Sequence, residues 1–220
     1  PYQDYKKTVD GTLEVLEYIR LYNPNAHLIY PSSPAVQGEC KDEPINEEYI
    51  GKPESPYGYH KKIAEDLCRS YSDMYNIKIS IMRLFSVYGN GLKKQILWDA
   101  CKKFIDKGEK AVEFWGTGDE TRDFIHIDDV LQLIQGLILV EENFLIINGG
   151  TGKKTTIKEV VFLVREELGL NCKINFNQEK NEGDPIYFWA NTNMLDAFVK
   201  LPKIEFRQGL IEYVKWIKTI

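Results

Sequence analysis

The chain has 220 residues, 43 % of them hydrophobic, and a formal net charge of −5. That length fits one compact α/β unit or two small lobes. The mild negative charge argues against a nucleic-acid platform, so an anionic ligand needs local arginines. Cys40, Cys68, Cys101 and Cys172 are scattered with no C-x-x-C, which suits reduced thiols in a cytoplasmic protein. No signal peptide or apolar run of membrane length stands in the sequence.

Along the chain, the first apolar period is helical, with Leu13, Leu16 and Ile19 on one face. His27-Leu28-Ile29-Tyr30 is a short apolar run that reads as a buried strand, and it ends at Pro31-Ser32-Ser33-Pro34-Ala35-Val36. Hydroxyls at the C-terminal end of such a strand lie where open α/β sheets bind ligands. Ser33 can donate to a substrate oxygen there; the alternative is that Ser32 and Ser33 only satisfy turn backbone. Ser55-Pro56 marks an N-cap and first turn, and the helix it opens carries Tyr57 and Lys61, with Ile63, Leu67 and Tyr71 on its apolar side. Residues at i and i+4 share a helix face, so the phenol and the ammonium can point into one cleft. A free tyrosine titrates near pH ~10. A neighbouring cation favours the phenolate and draws it toward the working range, which makes the pair a proton-transfer device.

Ile77 to Leu84 is β-rich and alternating, as a sheet strand should be, and the strand–helix alternation implies parallel strands. After Tyr88 the pattern changes: 98–104 is helical, 112–115 is a short strand before Gly116-Thr117-Gly118, and Asp129 to Val140 is a helix returning to the sheet. Gly149-Gly150-Thr151-Gly152 fails the spacing of a phosphate loop and reads as a turn before a helix with a capping box, Thr156 to Glu159. Asp128 reads as a helix cap rather than a metal ligand, since no other ligands stand at metal spacing. His60 and His126 read as hydrogen-bonded structural histidines.

Ser32-Ser33 followed by Tyr57-x-x-x-Lys61 resembles the catalytic set of the extended short-chain dehydrogenase/reductase family, in particular its nucleotide-sugar epimerases and dehydratases. Other segments match in order: Val9-Asp10-Gly11-Thr12, Arg83-Leu84-Phe85-Ser86-Val87-Tyr88-Gly89, Thr121-Arg122-Asp123-Phe124-Ile125-His126-Ile127-Asp128-Asp129-Val130, Ile147-Asn148-Gly149-Gly150 and Gly183-Asp184-Pro185. The resemblance implies an α/β fold, the C-terminal part of a Rossmann-type parallel sheet plus a small mixed α/β substrate-binding lobe. Residues 1–88 would form the partial Rossmann-like domain, with its sheet completed by about 121–150; 89–120 and 151–220 would form the lobe.

By the same resemblance, Ser33, Tyr57 and Lys61 are the catalytic residues. Ser32, Tyr57, Lys61, Leu84, Phe85 and Val87 meet the cofactor, which is NAD, with NADP as the open alternative. Ser86, Phe114, Trp115, Arg122 and Asp184 meet a nucleotide-diphosphate sugar. An arginine fork suits phosphate; the other reading of Arg122 is a salt bridge with Asp123 or Glu120. Phe114 and Trp115 can pack on the nucleotide base or in the core. Ser86 replaces the family's asparagine, Asn181 a second phosphate-binding arginine, and Gln37 the tyrosine of V-Y-G. Pro34-Ala35 replaces the Asp-Glu pair of 4,6-dehydratases, and neither residue carries a proton, so the resemblance points to a 4-epimerase of the UDP-glucose type. A reductase or decarboxylase, or a truncated non-catalytic homologue, are the alternatives. The family's glycine-rich G-x-x-G-x-x-G turn is not in this sequence, so the chain by itself is expected to bind NAD weakly. A homodimer through the helix of Tyr57, common in the family, is the expected assembly.

Overall fold

The computed structural model describes residues 1–38, 40–179, 185–199 and 203–220. A first helical run passes through α1 (Tyr2–Tyr5), a wide π turn at Lys6–Asp10 and α2 (Gly11–Tyr22). β1 (His27–Ser32), a tight turn at Pro34–Val36, the long α3 (Pro56–Tyr75), β2 (Lys78–Leu84) and β3 (Ser86–Tyr88) follow. Then come α4 (Gln95–Lys107), β4 (Val112–Phe114), β5 (Thr121–Arg122), β6 (Phe124–His126), α5 (Ile127–Ile138) and β7 (Phe144–Gly149). β8 (Thr155–Thr156), α6 (Ile157–Leu168), β9 (Ile174–Phe176), α7 (Asn193–Phe198) and α8 (Phe206–Ile217) complete the order.

The main sheet runs β1-β2-β7, all parallel, with Tyr30 opposite Ile81 and Ile81 opposite Ile146. β2 sits in the middle. Ile79 and Ile81 pack with Leu16 and Ile19 of α2 and Ala64 and Cys68 of α3. Met82 packs on the other face with Leu133 and Leu137 of α5 and Leu195 of α7. Helices on both faces bury both sides of the strand, so the alternation expected for it is absent: Ile79 through Arg83 are all buried. The same packing corrects two helix faces. Leu13 and Ile63 point to solvent, and the residues that bury are Leu16 and Ile19 in α2 and Ala64 and Cys68 in α3.

α3 begins where the sequence says it should. Ser55, in extended backbone, accepts the Gly58 N–H through its hydroxyl at 3.2 Å, and Pro56 takes the first turn. It ends at Asn76, whose φ of 55° lies in the left-handed region. Gly58 lets the turn after β1 press against the helix: a Cβ there would lie 2.4 Å from the Ala35 carbonyl oxygen. The Thr156–Glu159 capping box opens α6. At α5 the cap is His126, whose ring accepts the Asp128 N–H at 3.3 Å; Asp128 itself stands in the first turn, near the helix's positive end, and is not the cap.

A second core joins α4, α6 and α8 around Phe104, Phe114, Val160 and Tyr213. Short strand pairs accompany the main sheet: β3 with β6, β4 with β9, which packs in this second core, and β5 with β8. Between the two cores, the C-terminal ends of β1 and β2 face α4 and β5 across a cleft.

Candidate active site

The cleft measures about 720 Å³. One wall comes from the end of β1, with Pro31, Ser32 and Ser33, and from the first turns of α3, with Tyr57 and Lys61. Its floor is the end of β2 and the start of β3, Leu84 to Val87. Across it stand Lys94, Gln95, Arg122, Pro185 and Phe188. The fold thus brings Ser32, Ser33, Tyr57, Lys61, Leu84, Phe85, Ser86, Val87 and Arg122 to one place from distant stretches of chain. Phe114 is not among them. It is 1 % exposed, in the core between Phe104 and Phe176, because β4 turns Val112 and Phe114 inward and Glu113 outward. Trp115, one residue on, is 56 % exposed and does not line the cleft. Asp184, with Asn181 and Gly183, lies outside the described residues.

Tyr57 is 43 % exposed and opens to the cleft. Partial burial pushes its phenol above the ordinary range, a hydrogen bond with the Ser33 hydroxyl pulls it down, and the Asp4 carboxylate adds to the rise. Lys61 is pushed below the ordinary lysine range by desolvation, against Asp4, Glu65 and Cys68. Its ammonium donates to the Pro31 carbonyl at 2.7 Å and lies 3.4 Å from the Tyr30 hydroxyl, 4.8 Å from the centre of that ring. Tyr57 and Lys61 both border the cleft; the charge of Lys61 rests on the end of β1, and burial raises the phenol.

Beneath the pair runs a buried network. Ser32 donates to Glu65 at 2.5 Å, and Arg83 forks onto the same carboxylate at 2.8 and 3.1 Å while donating to the Glu47 carbonyl at 2.7 Å. Ser32 therefore turns its hydroxyl to the scaffold although its residue borders the cleft. Glu65 stands one turn beyond Lys61 on α3, so the network fixes that helix to the ends of β1 and β2. In sequence, Arg83 opens a segment that resembles the family's and is a charge within an apolar run, which demands a buried partner without naming it.

Arg122 borders the cleft and donates to the Thr121 and Pro185 carbonyls, both at 2.8 Å. The neighbouring carboxylates are held by backbone. Glu120 accepts the Thr117 and Gly118 amides. Asp123 accepts the Thr151, Gly152 and Ala190 amides and the Thr151 hydroxyl. The glycine-rich turn at 149–152 thus grips an internal carboxylate, and burial pushes that carboxyl up despite the bonds. His60 pairs with Asp4 at 2.5 Å, and the His126 ring accepts the Asp128 N–H. Among the described residues, no group of three or more His, Cys, Asp or Glu is placed to hold a metal ion, and no helix is long and apolar enough to cross a membrane.

Residues 1–143 match the model of the NAD dependent epimerase/dehydratase family. A protein of Methanocaldococcus jannaschii, provisionally named a UDP-glucose 4-epimerase, is 29 % identical over all of this chain and 72 % of its own length. The UDP-glucuronate 4-epimerase of Thermodesulfobacterium geofontis is 28 % identical over 99 % of the chain and 67 % of its own. Among solved structures, the UDP-glucuronic acid 4-epimerase of Bacillus cereus, in complex with UDP-glucuronic acid and NAD, superposes with a TM-score of 0.89 at 26 % identity, covering 99 % of this chain and 69 % of that one. The chain spans 72 % of the length of the Methanocaldococcus jannaschii relative and 49 % of that of the UDP-glucuronate 4-epimerase 6 of Arabidopsis thaliana.

Proposed function

This chain belongs to the NAD dependent epimerase/dehydratase family, and from that premise we propose that it carries the proton-relay and sugar-nucleotide side of an NAD-dependent nucleotide-sugar 4-epimerase. The observation that supports this most directly is the convergence of Ser33, Tyr57, Lys61 and Arg122 on one cleft at the C-terminal ends of parallel strands.

The residues present fit the nicotinamide-ribose end of the cofactor: an ammonium and a phenol one helical turn apart, facing the Leu84–Val87 floor. The turn at 149–152 does not fit the pyrophosphate, because Asp123 fills its amides. When bound, NAD supplies reversible two-electron oxidation of the sugar carbon. The protein handles the proton. Tyr57 Oη takes it from the sugar hydroxyl and returns it after the keto sugar has presented its other face. Ser33 Oγ donates to the same sugar oxygen, and the Lys61 ammonium, turned toward the ligand, stabilises the phenolate. Arg122 holds the diphosphate in a charge-assisted fork, with Ser86 beside it. Pro34 and Ala35 bring no proton to the site, which supports epimerisation over dehydration.

Two further readings belong to the same proposal. The exposed apolar residues of α2 and α3 support a homodimer, and four buried cysteines, none in a disulfide, support a cytoplasmic setting. The deciding assay is 4-epimerisation of UDP-glucose and UDP-glucuronate, with NAD, by the protein that carries this chain. Tyr57→Phe is expected to lower kcat by roughly 100-fold or more with an unchanged circular dichroism spectrum. Near-normal turnover in that variant removes the mechanism.

A further inference from the structure

Lys61 is the charged half of the proposed relay, yet among the described residues no carboxylate forms an ion pair with it. The acidic groups that face it are engaged elsewhere: Asp4 with His60, and Glu65 with Arg83 and Ser32. The Cys68 thiol faces it too, pushed up to about 12 by burial and so uncharged. What holds the ammonium is the last part of β1. The Pro31 carbonyl accepts it at 2.7 Å, the Tyr30 ring lies under it at 4.8 Å, and the Tyr30 hydroxyl is 3.4 Å away. Burial lifts the Tyr30 phenol to about 12, so Tyr30 meets the ammonium as a neutral ring and a neutral hydroxyl. A π face and a carbonyl attract a cation without neutralising it. They also bind it less firmly than a carboxylate would, so the lysine can leave.

We infer that Tyr30 is a positioning residue: its ring and hydroxyl seat the Lys61 ammonium on the Pro31 carbonyl and away from Tyr57, so that the relay is assembled only when polar groups of a bound ligand draw the ammonium forward. The seat agrees with the surroundings of Tyr57. Burial raises the phenol, the Ser33 hydroxyl draws it down and the Asp4 carboxylate adds to the rise, while the Lys61 ammonium is held by the end of β1. This inference rests on the reading of Tyr57 and Lys61 as a relay and names the residue that controls their coupling.

The test needs no turnover. The chain is prepared with isotope-labelled lysine and tyrosine, and NMR follows the Lys61 ε-methylene and the Tyr57 ring, assigned by Lys61→Met and Tyr57→Phe. In the wild type and in Tyr30→Phe, the ε-methylene is displaced upfield by the ring current of residue 30; in Tyr30→Leu it returns to the ordinary lysine position. Freed of its seat in Tyr30→Leu, the ammonium lowers the Tyr57 titration by about one unit, and the drop vanishes when Lys61→Met is added. Lys61→Met in the wild-type background leaves Tyr57 titrating as before. An undisplaced ε-methylene in the wild type overturns the seat, as does a Tyr57 titration unmoved by Tyr30→Leu or raised by Lys61→Met alone. Should Tyr30→Leu not fold, the wild-type ring current and the Lys61→Met titration decide between them. Loss of the seat leaves the epimerase reading standing, and an inactive protein with the seat intact counts against that reading alone.

Discussion

Arg122 shows how a single side chain is prepared for a ligand. Its guanidinium is steadied by the Thr121 and Pro185 carbonyls, and its neighbours in sequence, Asp123 and Glu120, accept backbone amides. The two carbonyls fix the direction of the guanidinium where it borders the cleft. Arg122→Leu is expected to raise KM for a UDP-sugar roughly 10- to 100-fold, the scale of about 1.5–3 kcal/mol for one charge-assisted contact, with kcat much less affected. Steady-state kinetics check it; equal losses in both parameters would place Arg122 in the chemical step instead. At Tyr57 the forces differ, since water lost on packing opposes ionisation and the Ser33 hydroxyl favours it. That balance could not be read from Y-x-x-x-K, because spacing along a helix fixes which side chains share a face and leaves open how much water each keeps or where a flexible ammonium settles.

At the scale of elements, α3 is held in two places. The buried Glu65–Arg83 pair, with Ser32, pins the helix to the sheet, both charged side chains being less than 10 % exposed. Glu65→Ala leaves a buried guanidinium without its partner and is expected to cost about 3–5 kcal/mol in chemical denaturation, whereas replacing Glu65 and Arg83 together by apolar residues of similar volume should cost far less. Ser55→Ala removes the cap and should cost about 1 kcal/mol. The second anchor is on the surface: Tyr71 of α3 donates to Glu17 of α2 at 2.6 Å, and Arg20 forks onto the same carboxylate. These contacts, the Arg20 bond first, hold Glu17 down from 4.5 to about 2. A carboxyl lowered on folding contributes stability that is present above 4.5 and is lost as pH falls toward about 2. Acid unfolding of Glu17→Gln should therefore lose part of its pH dependence in that window; an identical acid transition in wild type and variant would deny the anchor. The signals for these elements were local where they were read correctly, as in Ser55-Pro56 and the Thr156–Glu159 box. They failed where partners from far along the chain decided the outcome, as when helices on both faces buried Ile79 through Arg83 and removed the alternation expected of β2.

For the molecule as a whole, the outer faces of α2 and α3 expose Tyr18, Leu21 and Tyr22 together with Met74 and Tyr75, more apolar surface than scattered exposure explains. The proposed homodimer buries this face. Size-exclusion chromatography with light scattering should report a dimer that Tyr18→Glu with Leu21→Glu converts to a monomer; a wild-type monomer at micromolar concentration would end that reading.

The amino-acid sequence by itself determined the parallel α/β class, the helix bearing Tyr57 and Lys61, its cap, and most of the residues that meet in the cleft, because apolar period, cap chemistry and motif spacing are properties of neighbouring residues. Only the tertiary structure decided that β2 is buried on both faces, that Phe114 belongs to the core, that Asp123 occupies the glycine turn, and that Lys61 rests on Tyr30. Each of those depends on which distant groups exclude water from a side chain and which of them accept its hydrogen bonds, and that is settled when the chain packs.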